Sequence, residues 1–104
     1  MIERLLAADA DALLVAERDG AIIGALIAAW DGWRGNMYRL AVAPELRRAG
    51  IARELVQAGE ERLRKEGCFR VTALVWGEDE GASGFWDASG YAHDQRIRRY
   101  VKTI

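Results

Sequence analysis

The chain has 104 residues, 51% of them hydrophobic and 30% charged. That length suits a single domain spanning 1–104 with one core, and the composition excludes a disordered chain. The net charge of −1 supplies no global field for nucleic acid or an anionic membrane, and the single cysteine excludes an internal disulfide. Cys68 reads as a packing residue rather than a nucleophile, which suits a reducing compartment. The longest apolar run, "AIIGALIAAW", is ten residues, too short to span a bilayer. "MIERLL" is broken by charge at once and is no signal peptide, so a cytoplasmic protein is expected.

In chain order, residues 2–10, "IERLLAADA", predict a short helical piece, and "ALLVAE" a strand. Asp19-Gly20 then marks a hairpin into "AIIGALIAAW", because glycine tolerates the positive φ of such a turn. "DGWRGN" is a second turn and "MYRLAV" a third strand, which completes an antiparallel meander. From there the period changes. Ala52, Leu55, Val56, Gly59 and Leu63 recur at three and four residues and predict one helical stripe. Glu60 with Arg64 and Glu61 with Lys65 are i,i+4 pairs on its wet side. Gly67 ends the helix, and "FRVTALVW" predicts a strand parallel to the one before the helix, since a crossover joins them. "GASGFWDASG" predicts a second helix and "QRIRRYVKTI" a closing strand. The expected fold is α/β: a mixed, mainly antiparallel sheet with a parallel crossover pair, flanked by helices.

The stretch "APELRRAGIARELV" leads from the third strand into the long helix. A helix start leaves backbone N–H groups unpaired and carries partial positive charge. Arg47, Arg48 and Arg53 add cationic side chains, and Gly50 removes a side chain that would block close approach to the main chain. This is the make-up of an anion site. The nucleotide strings G-x-x-x-x-G-K-[ST] and G-x-G-x-x-G are both absent.

Arg47-x-x-Gly50-x-Ala52 resembles the R/Q-x-x-G-x-G/A signature of the GNAT superfamily of acyl-CoA N-acyltransferases. "LAVAPELRRAGIA" has that family's strand, proline and turn in order. "ASGFWDASGY" is similar to its A-x-x-[FL]-Y-x-x-x-G-[FY] helix at Ala82, Phe85, Gly90 and Tyr91. The likeness runs over residues 2–104 and is nearest to small bacterial members with "DG-x-RG" between two strands. It implies acetyl-CoA as acyl donor, with the N–H groups of Arg48, Ala49, Gly50, Ile51 and Ala52 on the pyrophosphate. It also implies that Leu40, Ala41 and Val42 pair with pantetheine as a strand would. The expected activity is N-acetyl transfer to a primary amine of a small molecule or peptide. The other reading is a non-catalytic acyl-CoA-binding module.

Two positions depart from the family pattern. Trp86 stands where the family has an acidic tyrosine, and an indole N–H donates a hydrogen bond but is no usable acid. Asp79 stands where an asparagine often contacts the cofactor. Both are assigned to the cofactor's surroundings. An ammonium has no lone pair, so a base must take its proton, and Glu78 and Tyr38 are the candidates. His93 is the lone histidine and supports no metal site. The cations of "RIRRYVK" read as a soluble strand edge rather than a nucleic-acid surface.

Members of the family generally begin with a strand and two helices ahead of the first strand read here, and the chain is expected to start within the second of those helices, at "IERLL". "ALLVAE" is then expected to be an uncovered apolar edge. A homodimer through residues 1–16 or 96–104 is expected to hide it.

Overall fold

The computed structural model describes residues 4–8, 12–47, 49–75 and 80–104. Five strands, β1 (Arg4–Ala8), β2 (Leu13–Arg18), β3 (Ala21–Trp30), β4 (Gly35–Val42) and β5 (Val71–Ala73), form one sheet in chain order. The first four are antiparallel, and β4 with β5 is parallel. A 3-10 turn, Pro44–Leu46, precedes helix α1 (Ile51–Lys65), and α2 (Glu80–Ala88) follows β5. The chain divides into two compact units, Met1–Leu74 and Val75–Ile104.

The turns follow from their residues. Asp19 and Gly20 sit at φ 52° and 79°, the pair of left-handed conformations that a two-residue hairpin needs. In the next turn the Asp31 carboxylate accepts from the N–H groups of Trp33 (2.8 Å) and Arg34 (2.7 Å). These bonds, Arg34's first, hold its pKa below 3.8.

In the first unit, α1 lies on the sheet. Its buried stripe is Ile51, Leu55, Val56, Gly59 and Leu63. Facing it are Leu26, Ala28 and Met37: a Cβ placed on Gly59 would fall 2.6 Å from Met37 Cε and 3.2 Å from Leu26 Cδ2. Each of the four large helix side chains contributes about 1.5–3 kcal/mol on burial. Cys68 is buried and its thiol donates to the Arg70 carbonyl (3.1 Å), a packing role as the sequence indicates. Gly67, at φ 97°, ends the helix. In the second unit, Trp86 is buried, with the rings of Phe85 and Tyr91 edge-on at 5.3 and 4.8 Å.

Four expectations are corrected. Residues 4–8 are a strand, not a helix. Five residues are too few for a stable helix, and pairing from Arg4↔Glu17 to Ala8↔Leu13 satisfies their backbone. β2 is therefore interior to the sheet, with Leu14 and Ala16 buried, which removes the reason for expecting self-association along it. The closing segment 96–104 forms no strand. Strand-forming side chains do not make a strand without a partner for the backbone, and Ile97, Tyr100 and Val101 are exposed. The strand expected over "FRVTALVW" is regular only at Val71–Ala73.

Candidate active site

Pairing of β4 with β5 covers only Gly35–Met37 and closes with Leu74 N–H donating to the Met37 carbonyl (2.9 Å). Beyond it, Tyr38–Val42 have no strand partner on that side among the described residues. A bulge lies at the same place. Ala25 faces Ala41 and Ile27 faces Tyr38, so Leu26 stands opposite two residues, Arg39 and Leu40. Arg39 sits at φ 57°, unusual for a residue with a side chain, and such outliers concentrate where a strand is re-aimed near a site.

The chain leaves β4 through Ala43, whose N–H donates to the Ile23 carbonyl (2.8 Å), and enters the Pro44–Leu46 turn. Ala49 N–H donates back to Leu46 (3.3 Å). Gly50 is the N-cap of α1 at φ 85°, a conformation that suits glycine, and no side chain caps the helix. Glu54 N–H takes the Gly50 carbonyl (3.0 Å). The N–H groups of Gly50, Ile51, Ala52 and Arg53 have no acceptor among the described residues. Arg47 and Arg53 are exposed around them. Four unsatisfied donors at a helix start with two exposed guanidiniums are suited to an anion of several oxygens.

The structure thus brings the strand segment Leu40–Val42 and the turn Arg47–Arg53 together at one end of the sheet. They meet over Gly24 of β3, where a Cβ would fall 3.2 Å from the Ala41 carbonyl oxygen and 3.2 Å from Ile51 Cγ2. Tyr38 is half-buried on β4, one residue before the bulge. Trp86 belongs to the second unit. Arg48, Glu78 and Asp79 lie outside the described residues. The bulge and the role of Gly24 were missed by sequence reasoning: the glycine was visible inside a strand, where it signals a close approach, but not what approaches.

Among the described residues no group of three His, Cys, Asp or Glu is placed to hold a metal ion. No helix among them is long and apolar enough to cross a membrane.

The fold is thus a meander and a crossover helix with an uncapped start, with a strand edge left open beside it among the described residues. The chain belongs to the acetyltransferase (GNAT) family, whose model matches residues 1–91. An acetyltransferase of Pectobacterium atrosepticum is 37% identical over 90 residues, 86% of this chain and 64% of that protein. The chain therefore spans less than two thirds of that relative's length. An integron cassette protein from the mobile metagenome of V. cholerae shares the fold, with a TM-score of 0.78 at 15% identity over 88% of this chain and 60% of that one. The aminoglycoside N-acetyltransferase AAC(6')-Iy, solved with a CoA-containing bisubstrate analogue, has a TM-score of 0.72 at 22% identity over 88% and 69%.

Proposed function

We propose that the chain is an acetyl-CoA-dependent N-acetyltransferase acting on a primary amine of a small molecule or peptide. The observation that carries this reading is the row of unsatisfied N–H groups at Gly50–Arg53 beside the unpaired edge of Leu40–Val42. A pyrophosphate is the anion for the first, and the amides of pantetheine are the complement of the second. Arg47, Arg48 and Arg53 supply charge and the N–H groups of Gly50, Ile51 and Ala52 cradle the phosphates; Asp79 and Trp86 are cofactor positions by family likeness alone.

Glu78 or Tyr38, through water, takes the proton that an ammonium must lose before its nitrogen can attack the acyl carbonyl. Backbone N–H groups of the Leu40–Val42 edge stabilise the oxyanion that develops there. The C–N bond forms, the C–S bond breaks, the thiolate leaves without prior protonation, since a thiol has a pKa of about 8.5, and the second proton released from the new amide nitrogen passes to water.

Calorimetry with CoA, followed by thiol release from acetyl-CoA over a panel of polyamines, aminoglycosides and peptide N-termini, tests the reading. Aminoglycosides enter the panel because proteins of this fold are named for acetylating them. Wild type is expected to bind CoA and to release thiol with at least one amine. Gly50→Glu, which puts a carboxylate among the N–H donors, is expected to abolish binding. CoA binding with no turnover across the panel would return the non-catalytic module. No CoA binding at all would end both readings.

A further inference from the structure

We infer that Gly24, which lies in neither the turn nor the β4 edge, is a positioning residue that sets the spacing between them; this rests on the CoA reading above. Gly24 is buried in β3, paired with Ala16 on one side and Val42 on the other. Its φ is not in the left-handed region, so the backbone there does not need a glycine. What needs it is space. A Cβ at this position would lie 3.0 Å from Leu55 Cδ1, 3.2 Å from the Ala41 carbonyl oxygen and 3.2 Å from Ile51 Cγ2. Each distance is tighter than ordinary van der Waals contact; two of the atoms belong to the first turns of α1 and the third to the β4 edge.

Ile51 is the first residue of α1 and 1% exposed, and Leu55, one turn on, is 0% exposed. Neither side chain has free volume to retreat into. Ile51 Cγ2 is fixed to a β-branched carbon with little rotational freedom. The Ala41 oxygen is main chain, held by the pairing of Ala41 with Ala25. A methyl group on residue 24 is therefore accommodated by lifting the start of α1 from the sheet. That moves the N–H row at Gly50–Arg53 away from the Leu40–Val42 edge by a few tenths of an ångström.

A ligand that touches only the turn does not register such a shift. One that spans turn and strand does, because its two halves gain from being joined only while both subsites lie at the matching distance. Gly24 thus acts on CoA as a whole and on neither half.

The test is equilibrium binding of CoA, ADP and pantetheine to wild type, Gly24→Ala and Gly24→Ala/Leu55→Val, with circular dichroism to confirm folding. A displacement of this size is expected to weaken CoA by about tenfold in Gly24→Ala. ADP and pantetheine should stay within about twofold of wild type, which a general loosening of the fold would not produce. Leu55→Val removes the Cδ1 contact and leaves those to Ile51 and Ala41, so the double variant should recover to about threefold weaker than wild type. If Gly24→Ala alone does not fold, the double variant takes its place with the same selective loss expected. Unchanged CoA affinity, or equal losses for CoA and ADP, overturns the inference. Failure of wild type itself to bind CoA overturns the functional reading, and this inference with it.

Discussion

Gly35 and Cys68 make a test of packing that the structure allows to be worked in advance. Gly35 opens β4, is buried, and has no positive φ. A Cβ there would fall 2.6 Å from Cys68 Sγ and 3.3 Å from Leu63 Cδ1. Forcing a methyl group into a filled core costs about 1–3 kcal/mol. Replacing glycine where the backbone permits it returns about 0.4–1 kcal/mol by restricting the unfolded chain. Gly35→Ala should therefore destabilise by about 1–2 kcal/mol. Cys68→Ala deletes one buried heavy atom and should cost about 1 kcal/mol. Added independently, the two would come to about 2–3 kcal/mol. The atom removed by the second is the one struck by the first, so the double variant should lose only about 1 kcal/mol, with the Leu63 contact remaining. Urea unfolding of all four proteins measures the cycle, and each kcal/mol corresponds to about 4–8 °C in melting temperature at this size. Additive losses would show that Gly35 and Cys68 do not face one another and would refute the packing described for this end of the sheet.

Arg39, at φ 57°, should accept glycine with little change, whereas Arg39→Val should destabilise by about 1–2 kcal/mol, because a β-branched side chain suits that region least; equal stabilities in urea would show a regular strand in place of the bulge. Asp31, its pKa lowered by the N–H groups of Arg34 and Trp33, contributes to its turn above 3.8 and loses that contribution as pH falls through the lower folded value. A carbon-13 titration of the Asp31 carboxyl should give a midpoint below 3.8, and a midpoint at or above it would mean the two bonds do not persist in solution. Leu26→Ala, at a 0% exposed position under α1, should cost about 2–5 kcal/mol by calorimetry, and a loss under 1 kcal/mol would mean the helix is not seated there.

Much of the first unit was legible because its signals are local. The Asp19-Gly20 turn and the three-four spacing of Leu55, Val56, Gly59 and Leu63 each specify one structure without reference to a partner. The Arg47–Ala52 turn was legible for a related reason: an uncapped helix start with a glycine is readable from a few residues. What was misread depended on pairing. "RLLAA" is too short for its period to distinguish helix from strand, and only the presence of Leu13–Glu17 alongside decides it. "QRIRRYVKTI" has strand-like residues and no ladder. The bulge left no mark in the sequence, since neither Arg39 nor Leu40 is a residue that turns demand.

The two halves of the candidate site have one topological cause. For β5 to run parallel to β4, the chain must leave the far end of β4 and return to its beginning, and α1 is the piece that returns. The start of α1 is thereby placed at the C-terminal end of β4. That is also the end with no strand partner among the described residues, because β5 contributes only Val71–Ala73, opposite Gly35–Met37. A helix start lacking acceptors and a strand edge lacking a partner are thus neighbours for the same reason. A serine or aspartate at the N-cap would satisfy one of the free N–H groups from within the chain. Gly50 supplies no side-chain acceptor and takes the left-handed turn that a serine would enter at a cost. The helix is left uncapped by its own sequence at the point where the proposed anion would find its donors.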